Sequence, residues 1–418
     1  MNSRGFVIAM LGARRHYAVP AILHRAGLLD RFHSDLLYLS PPMIGIARAL
    51  PFGRRIASRS SCDIPRERLH AHPWLGVQYA IRRRIAHTRE RQIETYVWAG
   101  RTFGSAVARS ADLKNGSHAY AFHGAAKEIL EIARERASLA VLEQTIAPLR
   151  SEHQLYVREA AMLPNLFPMP AWTKAHEALA EREEQEWHLA DLILCGSDFV
   201  RMQMTARNAT IGSKLAVVPY GFQSAGHALH PRKRTDRQIH VLFAGNDGWR
   251  KGLHRLLIAA GRLPKDRFSF RIVGEIDPRI RQMSRASNVS FIGSVPRPSM
   301  ADHFLWADLL CLPSLCEGSA MVTYEALSFG VPVVTTVAAG SPVRHGVDGW
   351  IIRDRGAPTD ELTSALFECA DRLHELQNFN PEAYSLEAYE RRLTNCLHTL
   401  LERDRAHADP DAPRAQSV

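Results

Sequence analysis

Residues 316–336 read CEGSAMVTYEALSFGVPVVTT and follow the apolar run Leu309-Leu310-Cys311-Leu312-Pro313. The order predicts a strand ending at Pro313, a loop carrying Glu317, Gly318, Ser319 and Ala320, a helix from about Met321 to Phe329, and a further strand over Val331 to Thr336. Gly330 and Pro332 stop the helix. In an open parallel sheet, ligands sit beyond the carboxyl ends of the strands, and the free amides of a helix start there favour an anion. Gly318 permits a close backbone approach at that point. Glu317 and Glu325 set two carboxylates beside an anion-friendly helix start, a costly arrangement unless hydroxyl-rich groups hydrogen-bond to them. A sugar and a ribose have that chemistry.

The alternation of short strands and helices extends on both sides. Ile239 to Ala244, Phe270 to Gly274, Val289 to Gly293, Leu309 to Pro313 and Val331 to Thr336 are five strand-like runs, enough for a complete doubly wound α/β domain. Upstream, Phe6 to Leu11, Ala119 to Phe122, Leu139 to Leu142 and Leu192 to Cys195 read as strands of a similar sheet. Residues 40–100 are Arg-rich with scattered Pro and Gly, which predicts mainly helices and loops. Residues 223–238 are polar and lack periodicity, so the interdomain linker is placed there. The Pro, Asp and Ala content from Asp404 onward predicts a disordered tail. A length of 418 residues suits two such domains.

A second chemical cluster is FAGNDGWRKGL, residues 243–253. Its strand delivers Arg250 and Lys251 to the carboxyl-end edge, just before a helix opening at Gly252-Leu253. Two cations and helix-start amides suit a diphosphate, whose charge must be neutralised as its bond to a sugar breaks.

Composition narrows the setting. The chain is 46% hydrophobic and 23% charged, as an ordinary globular protein is. The apolar run Gly5 to Leu11 is far too short to span a bilayer, and no small-residue cleavage site follows it, so a cytoplasmic location is expected. Six cysteines form no C-x-x-C pair and no zinc-like grouping, so neither a disulfide framework nor a metal site is expected. Residues 1–100 hold sixteen Arg, no Lys and six acids, which accounts for the whole net charge of +10. Trp74, Leu75, Val77, Tyr79 and Ile81 directly precede Arg82-Arg83-Arg84, a pattern suited to peripheral contact with an anionic membrane at its inner face or to a charged acceptor. A solvated basic face is the plainer reading. No nucleic-acid recognition motif accompanies the charge. The run EREEQEW from Glu181 reads as a solvated helix face, and Asp409-Pro410-Asp411 as an accidental match to a metal motif in the tail.

Two glutamates with seven residues between them, set in strand, loop, helix and strand order and followed by Gly-x-Pro-Val-Val, closely resemble the signature of glycosyltransferase family 4. The Arg250-Lys251 pair, ADLILCGSDFVR at 190–201, VPYGF at 218–222, VSFIGSVPRPSM at 289–300 and YSLEAYERRL at 384–393 extend the resemblance over most of the C-terminal half. After the first strand, Gly12 alone matches the family's glycine-rich turn. Tyr120-Ala121-Phe122-His123-Gly124 resembles the strand end that places a histidine near the transferred sugar.

The resemblance implies the GT-B fold, two Rossmann-like domains facing each other across a cleft. Residues 1–222 would form the acceptor domain and 239–383 the donor domain, with a helix over 384–403 crossing back to the first and residues 404–418 as the tail. It implies retaining, metal-independent transfer from a nucleotide-diphosphate sugar to an acceptor glycan, lipid or small molecule, with no resident cofactor. Arg250, Lys251 and the amides after Glu317 (Gly318, Ser319, Ala320) would hold the diphosphate. Glu317 and His123 would face the donor sugar, Glu325 the ribose, and Gly293, Ser294 and Val295 the base. A nucleotide-sugar epimerase, a glycan phosphorylase or a silent binding protein on the same fold are the rival readings.

Overall fold

The computed structural model describes residues 5–35, 64–114, 116–164, 166–222, 238–284, 286–353, 358–376 and 381–408. Two parallel sheets carry the chain. The first contains β1 (Phe6–Met10), β2 (Leu29–Ser34), β3 (Leu69–Ala71), β4 (His118–Phe122), β5 (Ala140–Gln144), β6 (Leu192–Cys195) and β7 (Leu215–Val217), in the order β3-β2-β1-β4-β5-β6-β7. The second contains β8 (Ile239–Ala244), β9 (Phe268–Val273), β10 (Val289–Gly293), β11 (Leu309–Leu312), β12 (Val333–Thr336) and β13 (Gly349–Ile352), in the order β10-β9-β8-β11-β12-β13.

Helices cover both faces of each sheet, which is why the central strands are apolar throughout rather than alternating. Phe6, Ile8 and Met10 of β1 enter one core while Val7 and Ala9 enter the opposite one. Val241 and Phe243 of β8 divide from Leu242 and Ala244 in the same way. In each sheet the strand order reverses beside the first strand, β1 between β2 and β4, and β8 between β9 and β11. Those two reversals open a crevice at the carboxyl ends of the strands, the place where ligands bind in doubly wound sheets.

The second sheet has six strands where the sequence suggested five. The extra strand, β13, is short, and Gly349 lies so close to β12 that a Cβ there would stand 2.0 Å from the Val333 carbonyl. In the first sheet β2, β3 and β7 were not anticipated. β2 reads LDRFHS with charge inside it, β3 and β7 have three residues each, and β3 falls in the stretch read as helices and loops. The expected linker at 223–238 and the Asp-Pro-Asp match in the tail lie outside the described residues, apart from residue 238.

The last helix, Leu386–Ala408, crosses back to the first sheet. Tyr389, Leu393, Leu397 and Leu401 recur every four residues and bury one face among Phe6, Tyr17, Phe32 and Tyr120. Arg392 donates to the carbonyls of Pro219 and Tyr220, and Phe222 bridges to Ser385, which fixes where the chain re-enters. The helix continues through Asp404 to Ala408, past the point where the sequence placed the start of the tail. ERDRAHA carries on the helix-forming composition, and only residues 409–418 lie beyond it.

Candidate active site

A cavity of about 730 Å³ lies between the two sheets and is lined by both reversals. From the first come Arg14 after β1, His123 after β4 and Thr145 after β5. From the second come Asp247 and Arg250 after β8 and Glu317, Gly318 and Ser319 after β11.

The centre of the second wall is Glu317. Arg250 Nη1 lies 2.8 Å from its Oε2 and Lys251 Nζ donates to its Oε1 at 2.8 Å. Burial pushes this carboxyl up, and the Lys251 ammonium and Arg250 guanidinium more than offset that, holding it below the usual range. Arg250 is anchored further by Asp247 (3.0 Å) and by the Cys316 carbonyl (3.2 Å). Gly252, with φ of +72°, caps the helix Leu253–Arg262 and turns the Arg-Lys pair towards Glu317. The Lys251 stem lies over Gly245, where a Cβ would stand 2.4 Å from its Cδ.

The loop after Glu317 differs from expectation at Gly318 and Ala320. The close approach at Gly318 is made by the facing sheet, since a Cβ there would sit 1.7 Å from the Thr145 carbonyl, and Ser197 donates to the Gly318 carbonyl. Ala320 is buried in the core and its amide donates to the Ala339 carbonyl at 3.0 Å, so it is withdrawn from the cavity. The Ser319 hydroxyl is engaged by Tyr324 and the Gly340 carbonyl. Among the described residues, the amides of Gly318 and Ser319 enter no backbone hydrogen bond, and both residues line the cavity.

Glu325 and the turn Gly293-Ser294-Val295 do not line this cavity. Arg297, two residues after the turn, reaches Glu325 at 3.4 Å and so joins the two. Burial raises the Glu325 carboxyl, against Arg297 and Lys251. Gly293 has φ of +84° with open space around it, and Val295 packs its side chain into the core.

On the first wall, His123 Nδ1 accepts from the Thr145 amide at 3.2 Å, which leaves the proton on Nε2. Burial, and then the nearby Arg14, press this imidazole down to about 3, so it is neutral. Arg14 donates to Thr145 Oγ1 at 2.7 Å and to the Tyr96 hydroxyl at 3.2 Å. Arg14 is a cavity residue that sequence reasoning missed. Its signal was there, in a cation at the end of the strand where the sheet order reverses.

The run EREEQEW is solvated only at Glu181, Gln185 and, in part, Glu184, and its other side is a buried brace. In the helix Lys174–Leu189, Arg182, Glu183, Glu186 and Trp187 are all buried. Glu186 accepts from the amides of Gly124, Ala126 and Lys127 at 2.6, 2.9 and 3.2 Å, gripping the turn that follows His123. Burial pushes its carboxyl up to about 7, against Arg182 and those three amides. Glu183 accepts from the Leu149 amide and from Gln144, and burial pushes it to about 8. Leu179, Ala180, Glu183, Glu186 and Trp187 repeat at helical spacing, the one sequence signal that this face turns inward.

Two doubly wound sheets whose reversals face each other across a charged cleft define the GT-B class of fold. Residues 238–371 match the family described as Glycosyl transferases group 1. That stretch, from β8 into the helix after β13, is thus similar to the domain of that family. A 172-residue stretch is 29% identical to the MMP α-(1→4)-mannosyltransferase of Mycolicibacterium hassiacum, covering 39% of this chain and 41% of that one. A 210-residue stretch is 26% identical to the D-inositol 3-phosphate glycosyltransferase of Kribbella flavida, covering 44% and 49%. The chain thus spans less than half the length of these two relatives. The fold likeness is wider: Anabaena HepE, solved with UDP and glucose, superposes with a TM-score of 0.58 at 14% identity over 95% of this chain and all of that one. Among the described residues, no helix is long and apolar enough to cross a membrane.

Proposed function

We propose that this protein transfers a sugar from a nucleoside diphosphate sugar to an acceptor bound on the first sheet's side of the cleft. The observation that carries the reading is Glu317 held between Arg250 and Lys251 at the mouth of the second reversal, opposite His123 and Arg14. Arg250, Lys251 and the amides of Gly318 and Ser319 would neutralise the leaving diphosphate, while Glu317 and the Nε2–H of His123 orient the donor sugar. Retention with no metal in the transfer step is part of the reading. The acceptor attacks from the leaving group's own face and gives its proton to the departing phosphate, and no residue acts as a covalent nucleophile. The nucleotide sugar is a co-substrate and no resident cofactor is assigned. Calorimetry with a panel of nucleoside diphosphates tests this against a silent binding protein, which would ignore them all. Sugar release or transfer from a matched panel of nucleotide sugars tests it against an epimerase or phosphorylase.

Glu325 is assigned to the ribose and Gly293 to Val295 to the base, a reading supported by Arg297, which follows that turn and reaches Glu325, and by the influence of Lys251 on the same carboxyl. Glu325→Gln is expected to weaken binding of the free nucleoside diphosphate more than Glu317→Gln does. Equal affinities in the two variants contradict the assignment.

The acceptor side of the cavity also presents Arg83 and Arg89 beside Arg14, and among the described residues none of the three is paired with a carboxylate. An acceptor carrying an anionic group suits that wall. The helix Pro73–Ile85 supplies Arg83 to the cavity and turns Trp74, 78% exposed, together with Val77, Ile81 and Ile85 to solvent along one face. That stripe beside Arg82 and Arg84 suits a cytoplasmic protein resting on an anionic membrane. In flotation with liposomes of graded anionic-lipid content at low salt, the wild type is expected to float. A variant with Arg82, Arg83 and Arg84 changed to Gln is expected to sink. Equal behaviour of the two removes the contact.

A further inference from the structure

Three histidines come together at the edge of the first sheet, away from the cavity, in a way their spacing in sequence did not reveal. His33 lies in β2 and His70 in β3, and the parallel register sets them side by side. His72 follows two residues later and so faces the same side of the sheet. The three rings stack, with centroids 4.6 Å apart for His33 and His70 and 4.9 Å for His70 and His72. One nitrogen from each lies within 4.8 Å of the others.

We propose that His33, His70 and His72 form a binding site for one divalent transition metal ion of the zinc class. His33 Nδ1 and His72 Nε2 are 3.1 Å apart. Two imidazole nitrogens bound to one tetrahedral zinc at about 2.0–2.1 Å each stand roughly 3.3 Å from each other, close to this separation, so an ion would replace the hydrogen bond that the two nitrogens share with only a small rotation of the rings. His70 is exposed and can swing its ring to supply the third ligand, with solvent at the fourth position. The other nitrogen of His33 is 3.0 Å from Asp112 Oδ2, and Asp112 is held in turn by Arg31 at 3.1 Å. A carboxylate on the far nitrogen fixes a ligating histidine's tautomer and ring orientation, the usual outer partner of a metal-bound imidazole. Imidazole sets of this kind suit zinc, copper or nickel rather than magnesium or calcium.

The site has a structural consequence. His72 immediately precedes the helix Pro73–Ile85, whose Tyr79 and Arg83 line the acceptor side of the cavity. An ion here pins the start of that helix to the sheet. It takes no part in the transfer step.

The test is titration of chelator-stripped protein with Zn²⁺ against a competing chromophoric chelator, with thermal melts in parallel. One equivalent is expected to bind the wild type and raise its melting temperature. His70→Gln, at an exposed position that leaves the fold alone, is expected to abolish that equivalent. Asp112→Asn is expected to weaken it by about 10- to 100-fold. His87→Gln, another exposed histidine, is the control and is expected to change nothing. Absence of a stoichiometric site in the wild type, or equal binding by the His70 variant, overturns the proposal.

Discussion

Replacing Lys251 by Ala is expected to remove most sugar transfer while leaving the protein folded. Lys251 and Arg250 both rest on Glu317, each at 2.8 Å. With a diphosphate in place they would hold its charge, which grows as the bond to the sugar breaks. Losing one such preorganised contact costs about 2 to 4 kcal/mol in the transition state, or roughly a 30- to 1,000-fold fall in turnover. The truncation has a second effect in the same direction. Glu317 keeps only one of its two cations, so its carboxylate repels the diphosphate more strongly. Stability should change little, because Glu317 keeps its ion pair with Arg250 and the lost stem only uncovers Gly245. Steady-state kinetics with the matched nucleotide sugar, beside a thermal melt, reads both. Turnover within a few-fold of wild type would exclude Lys251 from the chemistry.

What the sequence revealed and what it hid divide along physical lines. Strands buried on both faces, such as Phe6–Met10 and Ile239–Ala244, are continuous apolar runs and stand out. The site loop 316–320 was legible because strand, glycine, carboxylate and helix start follow one another locally. The outer strands were not, since LDRFHS, mostly buried, carries an Asp and an Arg within it, and LHA at the edge is only three residues long and part-exposed. The roles of Gly318, Glu186 and the three histidines were hidden for another reason. Each depends on a partner far along the chain: the Thr145 carbonyl for Gly318, the turn at Gly124 for Glu186, and the register of β2 on β3 for His33 and His70. Composition could count the glutamates of EREEQEW but could not say that three backbone amides were waiting for one of them.

The largest expected loss of stability comes from Glu159→Ala, and the reason lies between the sheets. Glu159, on the helix Leu149–Met162, is 1% exposed and meets two residues of the helix Leu253–Arg262 from the other half of the chain. Arg255 holds both its oxygens, by Nε at 2.7 Å and by Nη2 at 2.5 Å, and His254 Nε2 lies 2.7 Å from Oε1. Phe167, Tyr156 and Trp249 pack beside them, keeping water from the pair. Removing the carboxylate leaves the Arg255 guanidinium buried without its counter-charge, which costs about 3 to 5 kcal/mol. The double variant Glu159→Ala, Arg255→Ala should lose clearly less than the sum of the single losses, because no unpaired charge is then left behind. The pH dependence has a definite sign. Burial pushes the Glu159 carboxyl up, but Arg255 and His254 pull it down to about 2, below its unfolded value. Its contribution is therefore present above about pH 4.5 and lost as pH falls through about 2. Wild type should destabilise steeply over that acid range, and Glu159→Gln should show a flatter slope there from a lower starting stability. Urea unfolding at neutral pH and at a series of acid pH values measures both. A loss under 1 kcal/mol for Glu159→Ala, or parallel acid slopes for wild type and Glu159→Gln, would mean that the ion pair does not hold the two halves together.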